Sequence, residues 1–576
     1  MNVLKKITLE KCIVRLLISW CLVGTVLVFS KSQVFFDLSF FQGINFGVTL
    51  ACLAFVFIIL NILLLQRKDM LIDKVLLFSV YFIYFAKSLF IKGDIFYYIG
   101  VMVLTAVLVY YCFYDYEKDI VIGKKTLKSV YLLLAFFLVL FIGGLTALRY
   151  ISYNAPGFDF GVFTQMFNSM KTTLLPNTTM ERDMLLSHFA IHASPIFYVI
   201  LPVYFIFPSP VTLQIAQAVV LASSLFPLYL LCKKFELSNY LTLLIGICFS
   251  FYPALIGGCF YDIHENAFLT PLILWLFYFI EKEKLWGILT FSALIFMVKE
   301  DAPVYVAFIA IFMIIGKKQY KKGILVLTFS ILYFIAILWL LKTFGNGVMV
   351  DRYNNYNFDG SGLISVIKAA IINPAYVISQ CMTQDKLIFA MQMLIPLGFL
   401  PLLNKGYAKY ILVMPFILVN LMSNYSYQHS IDFQYNFGII AIFFYLVISN
   451  INGMKPQLRK TVAVFCVAAT VLLFSATMAK KIDYINTYAE QRKTIQSLNT
   501  CVNMIPKNAD VSASAFIVPH LFDHKTLYEL PTKHATEYVI VDLRVNTEGV
   551  SVFDYENLNF KEIYYDEGIV ALFKRN

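Results

Sequence analysis

Apolar runs of about 17 to 22 residues recur along most of this chain, and their length constrains the fold more than any other feature. Because an α-helix rises about 1.5 Å per residue, each run is long enough to cross a hydrocarbon core of about 30 Å. The chain of 576 residues is 60% hydrophobic and 14% charged, whereas soluble proteins carry about 25% charged residues. These features predict an all-α polytopic membrane protein.

About fifteen segments qualify as transmembrane helices. Their approximate bounds are 13–30, 44–66, 70–91, 95–114, 128–148, 211–232, 240–257, 266–280, 285–299, 302–316, 323–342, 387–403, 408–422, 437–450 and 461–479. A further apolar stretch, 194–207, contains Pro195 and Pro202 and has no basic residue nearby. We interpret it as a short helix at the outer face. The alternative is a true span, which would move every later connection to the other side of the membrane.

Basic residues concentrate in every second connection, as the positive-inside rule requires of cytoplasmic loops. They are Arg67, Lys68, Lys118, Lys124, Lys125, Lys233, Lys234, Lys282, Lys284, Lys317, Lys318, Lys321, Lys322, Lys405, Lys455, Arg459 and Lys460. The N-terminus is therefore predicted to be cytoplasmic. The net charge of +11 follows from these loops, so the chain is not predicted to bind nucleic acid.

The unusual polar residues fall at the opposite, extracytoplasmic ends of the spans. A long loop, about 149–195, begins at Arg149 and holds Asp159, Glu181, Asp183, His188 and His192. Later outer connections hold 261–266, 299–301, the loop 343–386 with Asp351, Arg352 and 359–362, and 425–436 with Gln434 and Tyr435. Because a charge at a membrane boundary is costly, this asymmetry predicts binding or chemistry at the outer face.

Asp159 lies between Phe158 and Phe160 and admits two interpretations. As a general base it accepts a proton from an acceptor hydroxyl, and the two phenylalanines bury it and raise its basicity. Alternatively, it caps the N-terminus of a helix over 162–171 that starts near Gly161.

The neighbouring imidazoles and carboxylates also have alternative interpretations. His188 and His192, one helical turn apart, either bind a phosphate or a metal, or are only interfacial; two histidines alone are a weak metal signal. Asp262, His264 and Glu265 offer three ligand types within four residues. The simple alternative is an exposed loop beside the lipid headgroups. A divalent cation, Mg²⁺ or Mn²⁺, is the one cofactor that these residues suggest.

Lys299, Glu300 and Asp301 stand between two apolar runs. They either form a self-neutralised cluster facing water, or Lys299 holds the phosphate of a lipid substrate.

The character of the chain changes after about residue 480. A helix over 482–503 is followed by strand-like runs at 511–514, 538–541 and 569–573, which predict a small extracytoplasmic α/β domain over 480–576. It contains neither a G-x-G-x-x-G motif nor a P-loop. Its residues His520, Asp523 and His524 are interpreted as the surface of a lid, with projection toward the membrane site as the alternative. Residues 1–127 form a four-span module and 128–479 the membrane core.

An ordered set of motifs resembles the DUF2079 family of bacterial membrane proteins, from about Arg149 to the C-terminus. The matching segments are 158–161 (Phe-Asp-Phe-Gly), 187–189 (Ser-His-Phe), 201–204, Gln217, 261–264 (Tyr-Asp-Ile-His), 299–301 (Lys-Glu-Asp), 434–436 (Gln-Tyr-Asn), 511–514, 519–520 and 527–528. That family resembles the GT-C glycosyltransferases, multi-span enzymes that use polyprenyl-phosphate sugars and carry an acidic residue in the first long outer loop.

The resemblance implies a GT-C-like core in the bacterial plasma membrane and assigns the acidic catalytic position to Asp159. It implies a polyprenyl-phosphate sugar as donor, an envelope polysaccharide or lipid as acceptor, and membrane lipids as partners. The expected substrate-binding residues are Arg149, His188, His192, Asp262, His264, Glu265, Lys299, Glu300, Asp301, Gln434 and Tyr435. The chain has a single Asp where better-known GT-C members have an acidic pair, and it lacks a W-W-D-x-G motif. The alternatives are a transporter or flippase of lipid-linked saccharides and a non-catalytic envelope-binding protein.

Overall fold

The computed structural model describes residues 8–64, 69–115, 120–345, 355–356, 363–545, 555 and 559–576. The predicted outer-loop residues Asp351, Arg352 and 359–362 lie outside these ranges, as do Arg67, Lys68 and Lys118 of the basic connections. The N-terminal helices are α1 Leu9–Ser30, α2 Leu38–Gln42, α3 Phe46–Leu63, α4 Leu71–Lys92 and α5 Ile95–Phe113. A buried ion pair joins Arg15 of α1 to Asp73 of α4 with Nε and Oδ1 2.7 Å apart, so neither charge is left alone in an apolar setting.

The remaining helices of the membrane part are more varied in length. They are α6 Lys124–Ile151, α7 Gly157–Thr173, α8 Leu201–Ile206, α9 Pro210–Lys234, α10 Asn239–Ser250, α11 Pro253–Gly257, α12 Leu269–Glu281, α13 Leu285–Phe296, α14 Ala302–Ile315, α15 Tyr320–Phe344, α16 Leu363–Ile372, α17 Pro374–Cys381, α18 Gln384–Leu394, α19 Phe437–Asn452 and α20 Pro456–Thr477. Within the described ranges, nine helices are long and apolar enough to cross a membrane. This confirms the predicted polytopic helical membrane protein.

The basic connections meet at one end of the helical bundle. Lys317 Nζ lies 2.5 Å from Glu281 Oε1, and Lys409 Nζ donates to Asn450 Oδ1 at 2.7 Å. These contacts join the far ends of α12, α14 and α19. The same helices start or finish beside the polar clusters at the other end, so the chain alternates between a basic end and a polar end.

The predicted span 240–257 divides into α10 and α11, and two later predicted spans are interrupted more strongly. The segment predicted at 387–403 breaks after α18, where Gly398 and Phe399 both have left-handed backbone conformations with φ of 56° and 55°. Pro396 and Pro401 lie in short 3-10 turns on either side. The segment predicted at 408–422 is a 3-10 turn followed by a π-turn at Phe416–Leu421. The expectation of two regular spans was therefore wrong, because proline and left-handed residues interrupt the hydrogen-bonding ladder.

The stretch at 194–207 forms a 3-10 turn, Pro195–Val199, and the six-residue α8. At about 1.5 Å per residue α8 extends only about 9 Å. It agrees with the interpretation as a short helix and is too short to span.

The C-terminal region contains α21 Asp483–Glu490, α22 Arg492–Asn503 and strands β3 Val511–Ala513, β4 Leu527–Glu529, β5 Tyr538–Asp542, β6 Phe560–Asp566 and β7 Val570–Arg575; β1 Asn177–Thr178 and β2 Leu186–Ser187 pair earlier, in the outer loop. The order of the sheet is β4-β3-β5-β7-β6, with β3 parallel to β4 and β5. The predicted small α/β domain is confirmed. The sequence prediction missed β4, which is only three residues long, and β6, none of whose side chains is fully buried.

The C-terminal domain packs directly on α7. A methyl group at Gly161 would approach Val518 Cγ1 to 2.6 Å, and one at Gly157 would approach Ala515 O to 2.9 Å. Thr179 Oγ1 donates to Leu527 O at 2.6 Å. The two glycines, one turn apart, therefore let the domain approach the helix closely.

His520 and His524 do not form a lid surface. The His520 ring stacks between Tyr150 and Tyr153, with centroid distances of 4.2 and 3.6 Å, and its Nε2 lies 3.0 Å from Tyr150 O. His524 is buried and its Nδ1 lies 3.2 Å from Ala509 O. The sequence interpretation was wrong here because both imidazoles serve packing of the domain.

Candidate active site

A cavity of about 890 Å³ lies at the polar end of the bundle, between the outer loop, the ends of several helices and the C-terminal domain. The predicted residues that line it are Asp159, His188, His192, His264, Glu265, Lys299, Gln434 and Tyr435. They come from five separate stretches of the chain. The fold thus brings most of the predicted site residues to one cavity.

Asp159 lies in the first turn of α7, two residues after the helix begins at Gly157. The N-cap interpretation is therefore wrong: the helix starts earlier than 162, and Pro156 occupies the cap position. The side chain is 31% exposed, and its Oδ2 lies 3.5 Å from His264 Nε2.

The electrostatic surroundings of Asp159 also differ from the expectation. Burial raises the pKa of Asp159, but hydrogen bonds from His264 and Tyr261 and the positive charges of His264 and Lys299 outweigh burial and hold the pKa below its usual value. The flanking phenylalanines do not enclose the carboxyl, since Phe158 is 70% exposed. Asp159 is therefore an ionised hydrogen-bond acceptor rather than a carboxyl of raised basicity.

His264 is held so that both ring nitrogens face oxygen atoms. Its Nδ1 lies 3.3 Å from the Asp262 carbonyl oxygen, while its Nε2 faces Asp159. Its backbone N–H donates to Gln217 Oε1 at 2.8 Å. These contacts fix the orientation of the imidazole, so that Nε2 is presented to Asp159.

Glu265 and Lys299 form a buried ion pair in the cavity wall. Lys299 Nζ lies 2.7 Å from Glu265 Oε1, with side-chain exposures of 5% and 1%. Burial raises the pKa of Glu265, but Lys299 and the nearby histidines lower it well below the usual value. Burial lowers the pKa of Lys299, but Glu265 and Glu300 raise it above the usual value. Both groups are therefore charged, and Lys299 is already neutralised within the protein.

Four predicted residues stand behind the cavity wall rather than in it. Arg149 Nη1 lies 2.6 Å from Asp262 Oδ1, which also accepts from Gln214. Glu300 Oε1 lies 2.8 Å from His192 Nδ1. Burial raises the pKa of both Glu300 and Asp301. Arg149, Asp262 and Glu300 therefore support the wall through paired contacts.

His188 and His192 stand together, with ring centroids 5.7 Å apart. His188 Nε2 lies 3.1 Å from Ser194 Oγ, and burial lowers the pKa of His188 to about 4. His188 is therefore neutral at pH 7 and supplies no positive charge to an anion.

Sequence reasoning missed several residues of the cavity wall. Arg182 projects from the outer loop, and Tyr261 donates a hydrogen bond to Asp159. Tyr427, which stacks on Phe433 with centroids 4.0 Å apart, lines the same wall. Glu529 arrives from the C-terminal domain. The Glu-Arg-Asp triplet at 181–183 was a usable signal, whereas Glu529 carries none because domain docking alone brings it to the cavity.

Within the described ranges, no group of three or more His, Cys, Asp or Glu residues is arranged to hold a metal ion. The carboxylates of Glu265, Asp262 and Glu300 already face Lys299, Arg149 and His192. The described residues therefore do not fit the predicted Mg²⁺ or Mn²⁺ site.

A family model described as a predicted membrane protein, DUF2079, matches residues 149–558, more than two thirds of the chain. The chain belongs to the DUF2079 family. The match includes the whole cavity wall and begins at Arg149, where the motif resemblance begins. No curated protein sequence matches this DUF2079 protein.

Two solved structures are similar to this DUF2079 protein in overall shape, and both are of ArnT from Cupriavidus metallidurans. The ArnT structure bound to undecaprenyl phosphate has a TM-score of 0.46 and 8% identity, covering 78% of this chain and 98% of that chain. The apo structure of ArnT has a TM-score of 0.40 and 8% identity, covering 78% of this chain and 96% of that chain.

Proposed function

We propose that this DUF2079 protein is a membrane glycosyltransferase of the GT-C type. It transfers a sugar from a polyprenyl-phosphate donor to a polysaccharide or lipid acceptor of the cell envelope, on the extracytoplasmic face of the bacterial plasma membrane. The observation that carries the proposal is one cavity, at the polar end of a membrane bundle, that combines the ionised Asp159 with buried acceptor atoms lacking a donor.

The polar wall of the cavity suits a ligand rich in hydroxyl groups. Glu265 Oε2 and Gln434 Oε1 are buried and receive no hydrogen bond from the described residues. An unsatisfied buried acceptor is costly, and a hydroxyl-bearing ligand supplies the missing donors. Tyr261, Tyr427 and Tyr435 add aromatic and hydroxyl surface. A saccharide meets these requirements.

An apolar groove beside the cavity suits the polyprenyl chain. It lies between α13 and α15, has a volume of about 590 Å³ and is lined by side chains that include Leu289, Val326 and Phe329. Phe296 and Tyr333 stack in the groove with centroids 5.0 Å apart. Phe296 is three residues before Lys299, so a lipid tail in the groove would bring its headgroup toward the cavity.

In the proposed inverting reaction, an acceptor hydroxyl donates a hydrogen bond to Asp159 and attacks the anomeric carbon of the donor. The new C–O bond forms as the bond between the anomeric carbon and the phosphate oxygen breaks, and the polyprenyl phosphate leaves with the bonding electrons. The hydroxyl proton passes to Asp159 as general base. Because its pKa is low, Asp159 first orients the acceptor hydroxyl as a hydrogen-bond acceptor. It takes the proton late in the reaction, after bond formation to the anomeric carbon has made the hydroxyl acidic.

The purified full-length protein in lipid nanodiscs, supplied with a set of polyprenyl-phosphate sugars and envelope acceptors, tests the proposal. We expect release of polyprenyl phosphate together with a glycosylated acceptor. Asp159→Asn should lower transfer by about 100-fold or more, as loss of a general base does, while membrane insertion stays intact. The matched control is Asp483→Asn in α21, outside the cavity, which should transfer at the normal rate.

Full activity of Asp159→Asn would refute the role of this carboxylate. Movement of lipid-linked sugar across vesicles without its consumption would instead identify a flippase. Acceptor binding with no lipid consumption and no lipid movement would identify a non-catalytic envelope-binding protein.

A further inference from the structure

The turn Glu181–Asp183, between β1 and β2 of the outer loop, brings a cation into the cavity that the proposed mechanism does not use. Arg182 lines the cavity with 43% of its side chain exposed, and its Nε is 3.9 Å from Glu181 Oε1. This separation exceeds a direct hydrogen bond. Within the described ranges the guanidinium makes no shorter contact with a carboxylate, so its donors are available to a ligand.

The other lysine and arginine side chains near the cavity are already paired with carboxylates. Lys299 is buried against Glu265 at 2.7 Å, and Arg149 lies behind the wall against Asp262 at 2.6 Å. Among the lysine and arginine residues of the described wall, Arg182 is the one without a buried counter-charge. A planar guanidinium also matches the geometry of phosphate oxygens.

The backbone that carries Arg182 is strained. Arg182 and Asp183 have φ of 58° and 57°, the left-handed region that residues with a Cβ rarely occupy. Two such residues in succession persist only where the surroundings hold them, and strain of this kind clusters at functional sites.

Residues of the C-terminal domain hold this strained turn in place. Thr532 Oγ1 donates to Asp183 Oδ1 at 2.9 Å and lies 3.1 Å from Oδ2, and His534 Nε2 lies 2.7 Å from the Asp183 carbonyl oxygen. The His534 ring stacks on Tyr528 with centroids 4.0 Å apart. The carboxylate and the backbone carbonyl of Asp183 are therefore both fixed by one short segment of the domain.

We propose that the C-terminal domain presents Arg182 to the phosphate of the lipid ligand, with Asp183, Thr532 and His534 as positioning residues. The inference rests on the proposed function and adds a binding residue to the same site. It makes the domain part of the membrane site, because Arg182 reaches the phosphate only while the domain holds Asp183.

Phosphate recognition is measured first by binding, without transfer. Full-length protein in nanodiscs is titrated with farnesyl monophosphate and, separately, with farnesol, which shares the chain and lacks the phosphate. Wild type should prefer the phosphate by about 10- to 100-fold, as expected of a charge-assisted contact. Arg182→Gln should remove this preference, Arg182→Lys should keep part of it, and the control Lys171→Gln, in the last turn of α7, should keep it in full.

The role of Thr532 and His534 in positioning Asp183 is tested by combining substitutions. Thr532→Val with His534→Phe should reduce the preference in the wild-type background and have no further effect with Arg182→Gln. Thr500→Val on α22 is the control that leaves the preference unchanged, and thermal unfolding shows whether each variant is folded. An unchanged preference in folded Arg182→Gln, an absent preference in wild type, or an equal effect of the paired substitution in both backgrounds would overturn the inference. A phosphate preference without sugar transfer by wild type would count against the proposed function alone.

Discussion

At the scale of single residues, the inner wall of the site pairs buried acids with basic side chains, while Asp159 stays partly accessible. Lys299 pairs with Glu265, Arg149 with Asp262 and His192 with Glu300, each at 2.8 Å or less. Asp159 differs from these acids in being 31% exposed, with a histidine at 3.5 Å. An apolar surrounding tolerates charges that are paired, so among these four acids Asp159 is the one placed to meet a substrate.

Breaking the Lys299–Glu265 pair from one side should be more damaging than removing both partners. Lys299→Met leaves a buried carboxylate without its cation and should lower the free energy of unfolding by about 3–5 kcal/mol. Lys299→Met combined with Glu265→Leu should recover much of that loss. Thermal unfolding of the detergent-solubilised variants, with Lys321→Met in a basic connection as control, measures both effects. A double variant less stable than Lys299→Met would contradict the explanation.

At the scale of elements, α7 has two working faces. One presents Asp159 to the cavity, and the other carries Gly157 and Gly161 against the C-terminal domain. The motif at 158–161 therefore combines the candidate catalytic residue Asp159 with Gly161, which leaves space for docking of the C-terminal domain.

Gly161→Ala should displace the C-terminal domain, because the added methyl group would lie 2.6 Å from Val518 Cγ1. We expect faster proteolysis between α20 and β3 and a loss of the phosphate preference that depends on docking. Gly100→Ala in α5, where a methyl group meets nothing within 4 Å, is the control. Proteolysis at the wild-type rate in Gly161→Ala would show that the interface adapts to the methyl group.

Docking of the domain should also depend on pH through His520. Burial between Tyr150 and Tyr153, with a smaller contribution from Arg544, outweighs the hydrogen bond to the Tyr150 carbonyl and lowers the pKa of His520 to about 3. The unfolded state has an ordinary histidine pKa of about 6.5. Between these values the unfolded state binds the proton, so stability falls as the pH drops below about 6.5.

The slope reaches at most about 1.4 kcal/mol per pH unit for one group. His520→Phe keeps an aromatic ring in the stack and removes the titration. The thermal midpoint should therefore fall less between pH 7 and pH 5 in His520→Phe than in wild type. Equal losses in the two proteins would assign the pH dependence to other groups.

At the scale of the whole molecule, one end of the bundle is basic and the other is polar and carries the cavity. From the positive-inside rule we propose that the basic end faces the cytoplasm. In a background with all ten cysteines replaced, a membrane-impermeant maleimide should label Lys525→Cys in intact cells and Lys318→Cys only after permeabilisation. Labelling of Lys318→Cys alone in intact cells would reverse the orientation.

Local patterns predicted much of this architecture. Apolar length predicted the membrane helices, charge bias predicted the alternation of ends, and short β-rich runs predicted three strands of the C-terminal sheet. The sequence did not predict the helix breaks at Gly398 and Phe399, because an apolar run has the same composition whether or not its helix is continuous. The pKa of Asp159 was predicted in the wrong direction, since its hydrogen-bond partners Tyr261 and His264 are about 100 residues away in the sequence.

The sequence by itself determined that the chain is a polytopic membrane protein, and it singled out most of the polar residues of the site. These follow from hydropathy and from the cost of charge near lipid, both of which act locally along the chain. Only the tertiary structure decided which charged side chains pair with one another, that Asp159 is partly accessible and accepts hydrogen bonds from remote residues, and that the C-terminal domain contacts Asp183. Those outcomes depend on distances between side chains remote in sequence, and packing alone sets such distances.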